Sequence, residues 1–189
     1  MNIYKENLSK GMTLIELLIG LAIFFILILF LANFFVSYYD SFNNLQASNL
    51  VSESTGIFIN SISNVIRQAS SVVSSRVVSG NTYTSDNTTI VLQVPSINSS
   101  SEVISGTYDY MVFYLDADNI YWIVDADASS FRKSGSQIIG DNISYLSFTY
   151  NDAIITSSNK VDIVVTAQKE VKGKTFQSSL TQQVYLRNK

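Results

Sequence analysis

Two sets of carboxylates stand where they could do chemistry. One is a lone residue, Glu16, the single charge in an apolar run that extends from residue 12 to residue 39. The other is the densest acidic cluster of the chain, Asp116, Asp118, Asp125 and Asp127. Carboxylates converging across a hairpin can hold calcium through oxygen ligands, and two at a set separation can cleave a glycosidic bond. The spacing supports neither use, because the glycine and the distal glutamate of a helix-loop-helix calcium site are missing. The four aspartates therefore read as solvated turn carboxylates, and no metal or cofactor is assigned. With no histidine and no cysteine in 189 residues, the commonest general base, most hydrolytic triads, thiolate sites and nearly all zinc chemistry drop out. The expectation is a protein that is not an enzyme.

A basic set, Lys169, Lys172, Lys174, Arg187 and Lys189, is expected near one end of the last hairpin. Such a set attracts nucleic-acid phosphates, or protects a sheet edge from stray pairing. The formal net charge of -3 argues against a nucleic-acid partner. Tyr83 and Tyr108 are surface tyrosines suited to a ligand, yet tyrosine is ordinary on strand faces.

The element that must position Glu16 is the apolar run itself. It exceeds the ~20 residues needed to cross a bilayer as a helix. Lys5 and Lys10, with Glu6 between them, precede the run, and Asp40 and Glu53 are the first charges beyond it. The positive-inside rule then puts the N-terminus in the cytoplasm and the remainder outside. A secretory signal would have a shorter apolar region and a small-residue cleavage site. An ionisable group at the centre of a span costs roughly 2.5 kcal/mol or more and usually marks a functional pairing. Glu16 sits nearer the end, where the alternative is a carboxylate snorkelling to the interface.

The stretch Lys10-Gly11-Met12-Thr13-Leu14-Ile15-Glu16-Leu17-Leu18-Ile19 closely resembles the prepilin cleavage and methylation motif of type IV pilins and type II secretion pseudopilins. That resemblance implies a prepilin peptidase that cuts between Gly11 and Met12 and methylates the new amine of Met12. Met12 stands where the family more often has phenylalanine. The residues agree physically with such a role. Gly11 lets an extended backbone approach a protease closely, and the amine freed at Met12 is a natural partner for a carboxylate in low dielectric. Four residues of spacing let Glu16 reach the amine of its own helix or of a neighbour. The resemblance favours the neighbour, so that Glu16 serves assembly by setting the register of subunits.

After residue 39 the pattern becomes polar with apolar residues at helical spacing, Phe58, Ile62, Val65, Ile66, Ala69 and Val73. This predicts an amphipathic continuation of the helix to about Ser74, with Gly56 as a place where it could kink. Beyond Gly80, strands are predicted over residues 89–94, 108–115, 120–124, 143–150, 161–167 and 176–186, and loops over 96–101 and 129–140. The segments Asp116-Ala117-Asp118-Asn119 and Val171-Lys172-Gly173-Lys174 read as hairpin turns. The expected fold is α+β: a long N-terminal α-helix, membrane-spanning in its first half, packed on a mainly antiparallel β-sheet head. The expected division is a leader (1–11), a transmembrane and assembly helix (12–39), its amphipathic continuation (40–75) and a β-rich extracytoplasmic head (76–189).

The tyrosine-rich arrangement from Tyr110 to Tyr150 and the ending Val184-Tyr185-Leu186-Arg187-Asn188 are loosely similar to minor pilins and minor pseudopilins of the W/J type. With the absence of proline from the span, this favours a minor subunit, at the tip or initiating, of a type IV pilus or type II secretion-like pseudopilus. The implied partners are other pilin or pseudopilin subunits through the N-terminal helix, prepilin peptidase, the inner-membrane assembly platform and the lipid bilayer. The implied location is a single pass through the cytoplasmic membrane, head outside, followed by an extracellular pilus or a periplasmic or cell-wall pseudopilus. The competing readings are a membrane-anchored adhesion module that never polymerises and, further off, a competence pseudopilin contacting DNA.

Overall fold

The computed structural model describes residues 12–187. The chain divides into two compact units between Asn43 and Asn44, and one helix, α1 (Leu14–Gln68), runs through that division with Gly56 inside it. In the first unit α1 is apolar on every side. No face is set apart for burial, as expected of a helix whose surroundings are themselves apolar.

In the second unit the same helix becomes one-sided. Ala47, Val51, Phe58, Ile62, Val65 and Ile66 are buried, at the three- and four-residue steps of a helix face. Three hydroxyls on that face are tied to other elements: Ser54 donates to Asp141 Oδ1 (2.6 Å), Ser63 to Gln182 Oε1 (3.0 Å), and Thr55 lies 3.1 Å from the Ser178 hydroxyl. Buried hydroxyls with partners keep the face from carrying unpaired polar atoms.

The helix ends at Gln68, short of the expected Ser74. The Ser70 N–H turns to the Gln93 carbonyl (2.8 Å), and the chain enters strand β1 (Ser71–Val73). Serines and two adjacent valines favour a strand over a helix turn, and pairing with β4 (Thr89–Ile97) captures them. Val73, expected on the helix face, packs instead against a second buried cluster of Val78, Val91, Val112 and Ile123.

A five-stranded sheet has the order β1-β4-β5-β6-β7, where β5 is Val103–Asp116, β6 is Asn119–Asp125 and β7 is Gly135–Gly140. A three-stranded sheet follows in the order β10-β9-β8, from β8 (Ile143–Tyr150), β9 (Lys160–Val171) and β10 (Lys174–Tyr185). The hairpin β2 (Ser75–Val78) and β3 (Asn81–Thr84) forms a sheet of its own, with Val78 packed on Val91, Val112 and Ile123 of the larger sheet. Every pairing is antiparallel. The fold is α+β and pilin-like, a long helix packed on antiparallel sheets. One core joins Phe58, Ile62 and Ile66 of α1 with Leu92 and Phe113 of the larger sheet and Ile163 of the smaller.

All six expected strands form. Three corrections concern the residues outside them. Strand β4 runs through Pro95 to Ile97, with a register shift after Pro95, which suits a residue that has no N–H to give. Strand β7 lies in the stretch expected to be loop, and β1, β2 and β3 were not expected.

Both expected hairpin turns are two-residue connections, Asp116 pairing with Asn119 and Val171 with Lys174. In the second, Lys172 and Gly173 both have positive φ (51° and 76°), the geometry of a type I′ turn that matches strand twist. Gly173→Ala is expected to lower stability by about 1 kcal/mol through left-handed strain. A denaturant titration of the detergent-solubilised chain by circular dichroism checks it.

Candidate functional site

Met12, Thr13 and the first turn of α1 carry the residues that the sequence singles out. Thr13 precedes the helix and closes a reciprocal cap with Glu16. The Thr13 N–H and hydroxyl donate to Glu16 Oε2 (2.8 and 2.9 Å), while the Glu16 N–H donates to the Thr13 hydroxyl (3.3 Å). This is a capping box, which satisfies donors that a helix start leaves without partners. The carboxylate also stands where the positive end of the helix dipole favours a negative charge. The Thr13-x-x-Glu16 spacing carries this signal, and the sequence reading above passed over it. Gly11, the expected cleavage residue, lies outside the described residues, as do Lys5, Glu6, Lys10 and Lys189.

Beyond the cap the apolar side chains of the first unit have no cover. Met12 is 72% exposed, Leu14 80% and Phe30 68%. Among the described residues α1 is the one helix long and apolar enough to cross a membrane, and none of its apolar stretch is buried. So much uncovered apolar surface is untenable in water and requires lipid or other helices.

The structure separates the four clustered aspartates. Asp116 and Asp118 sit at the β5–β6 turn, whereas Asp125 pairs with Tyr110 at the far end of that hairpin. Asp125 binds Arg76 (3.1 Å), and the guanidinium lies 3.9 Å from the centre of the Tyr110 ring. Asp127 accepts from the Ser129 N–H and hydroxyl (2.8 and 2.6 Å), which holds its carboxyl below the usual range. Among the described residues no group of three or more acidic side chains is placed to hold a metal ion.

The basic set is also divided. Lys169, Lys172 and Lys174 lie toward the β9–β10 turn, while Arg187 follows Tyr185, which pairs with Lys160 at the opposite end. The sequence could not show that the last strand carries Arg187 the whole length of the hairpin away. Tyr83 is half-buried against Tyr114 (ring centres 5.2 Å apart), and Tyr108 remains exposed.

A polar cluster that the sequence did not single out lies around Asp109 of β5. This carboxylate is fully buried and pairs with Arg132 (2.7 Å). It also accepts from the hydroxyls of Ser96 and Ser130 (both 2.8 Å) and from the Asp127 N–H (2.9 Å). Arg132 donates in addition to the Pro95 carbonyl (2.7 Å), so the cluster pins residues 126–132 to the edge of β4. Burial pushes the Asp109 pKa up, but Arg132 and the three other donors outweigh it and leave it below the usual range. No spacing joins Asp109 to Arg132 in the sequence; an acid between Tyr108 and Tyr110 in an apolar strand was the one available sign.

No curated protein matches the chain. The prokaryotic N-terminal methylation motif matches residues 7–32, which takes in the cap, Glu16 and the uncovered apolar stretch. The family that carries this motif is generally structural and non-enzymatic. By that motif, and by a long apolar helix packed on antiparallel sheets, the chain is a type IV pilin-like protein.

Proposed function

We propose that the chain is a filament subunit, held in the cytoplasmic membrane by residues 12–39 with its head outside, then drawn into a type IV pilus or a type II secretion-like pseudopilus. The observation that carries this reading is the coincidence of the methylation motif with a capped helix start followed by an uncovered apolar stretch. Prepilin peptidase removes residues 1–11 by cleavage between Gly11 and Met12 and methylates the Met12 amine. The amide N–H of Thr13 and its cap survive that cut, so the mature helix begins ordered, with the amine one residue before the cap. Glu16 of one subunit then pairs with the Met12 amine of the next, while the apolar helices exchange lipid for each other. The absence of proline from the span and the C-terminal resemblance support a minor subunit, at the tip or initiating.

Mass spectrometry of the N-terminal peptide, from membranes and from sheared filaments of cells with the native machinery, tests the reading. The expected result is a methylated peptide beginning at Met12 in the sheared fraction, in amounts well below those of the main subunit. A peptide beginning at Met1 in both fractions would sink it and leave an anchored adhesion module.

A further inference from the structure

Within the second unit, residues 50–61 of α1 and strand β7 enclose an open groove of about 760 Å³. Ile57 and Ile138 line it and are 48% and 56% exposed. Its wall includes Trp122, stacked on Phe113 with ring centres 5.6 Å apart. The indole N–H of Trp122 is buried without an acceptor among the described residues, which is a costly state for a donor. Strand β7 ends the order of its sheet, so its outer edge has no strand beside it. Glu53 and Asp141 make the lining negative. An occupant that fits brings positive charge on stems long enough to cover the apolar side chains of Ile57 and Ile138.

The chain itself carries such a segment. In the turn between β9 and β10, Lys172, Gly173 and Lys174 are exposed, and the central carbonyls of a two-residue turn lie outside the strand ladder. Glu170, also exposed, is an opposing charge two residues before Lys172. The turn also lies at a suitable height. Ser178 sits at Thr55 (3.1 Å) and Gln182 at Ser63 (3.0 Å), so β10 runs in the same direction as α1. Lys174 precedes Ser178 by about 13 Å of strand, which brings the turn level with the neighbourhood of Ala47. The middle of the groove lies roughly 12 Å further along the helix axis.

We propose that the groove receives the Lys172–Lys174 turn of a second copy of this chain, its helix parallel and offset by about 12 Å. The contact joins two different patches, so it repeats head to tail instead of closing into a dimer. Even a scarce subunit would then occur as adjacent copies. The proposal rests on the filament reading and supplies a head contact for it.

The chain has no cysteine, so introduced pairs report without background from the chain itself. Two differently tagged full-length copies, one Ile57→Cys and the other Lys174→Cys, are expressed together in cells with the native machinery and oxidised. A control replaces Ile57→Cys with Val77→Cys, an exposed position on β2. The expected result is at least tenfold more mixed-tag disulfide dimer from positions 57 and 174 than from the control. Glu53→Cys with Lys172→Cys should reproduce it. Control-level cross-linking while the chain is present in sheared filaments overturns the groove contact and leaves the filament reading standing. No cross-link and no chain in the filaments overturns both. A disulfide from Ile57→Cys to another host protein, without the expected pair, overturns the second copy as occupant.

Discussion

Glu16→Gln is expected to lower the amount of the chain in sheared filaments about 100-fold, nearly as far as Glu16→Ala, while insertion and leader removal stay close to normal. The pair of variants separates two jobs of one carboxylate. Glutamine at this position still accepts from Thr13 and so preserves the capping box, whereas alanine removes the Glu16 half of it. Glutamine cannot neutralise the Met12 amine of a neighbour. An uncompensated charge among packed apolar helices costs roughly 3–5 kcal/mol, and each 1.4 kcal/mol is tenfold in an equilibrium. Loss of charge should therefore dominate loss of the cap. The readout is the ratio of chain in sheared and membrane fractions by immunoblot. Wild-type incorporation of Glu16→Gln, with Glu16→Ala defective, would mean that Glu16 acts through the cap alone.

Asp109→Ala should destabilise the head by about 3–5 kcal/mol, because it leaves the Arg132 guanidinium largely buried without its partner. Asp109→Ala combined with Arg132→Met should be the milder change, since an apolar pair leaves no orphaned charge. Denaturant midpoints of the detergent-solubilised chain measure both, and equal losses would contradict the pairing argument. The same carboxylate predicts the direction of the pH dependence. Its folded pKa lies below the ordinary value, so its contribution is complete above about pH 4. It is lost as pH falls further, through the lowered folded pKa. Stability of the native chain should change little between pH 7 and pH 5 and fall more steeply below pH 4. Asp109→Ala should flatten that fall.

The hairpin turns were legible because their chemistry is local. Lys172-Gly173 and Ala117-Asp118 sit between alternating apolar strands, and turn geometry follows from a few neighbouring torsions. Strand β7 was hidden for the opposite reason. Gly135-Ser136-Gln137 has little intrinsic preference for a strand, and those residues become one because β6 offers its edge. The end of α1 was misplaced by six residues because Val72 and Val73 fit either pattern, and only β4 decides between them.

The N-terminal segment depended least on anything distant. Its cap, its single carboxylate and its uncovered apolar run are set by spacing within one helix, so the motif and its chemistry can be read from the chain alone. The polar sites of the head are different. The register of β5 and β6 holds the clustered aspartates at opposite ends of a hairpin, and the length of β10 carries Arg187 away from Lys172 and Lys174. The same packing brings Arg132 onto Asp109 and places Glu53 across a groove from Ile138. Helical spacing fixes neighbours three and four residues apart, but residues joined only across strands meet through register and burial, and those belong to the whole fold.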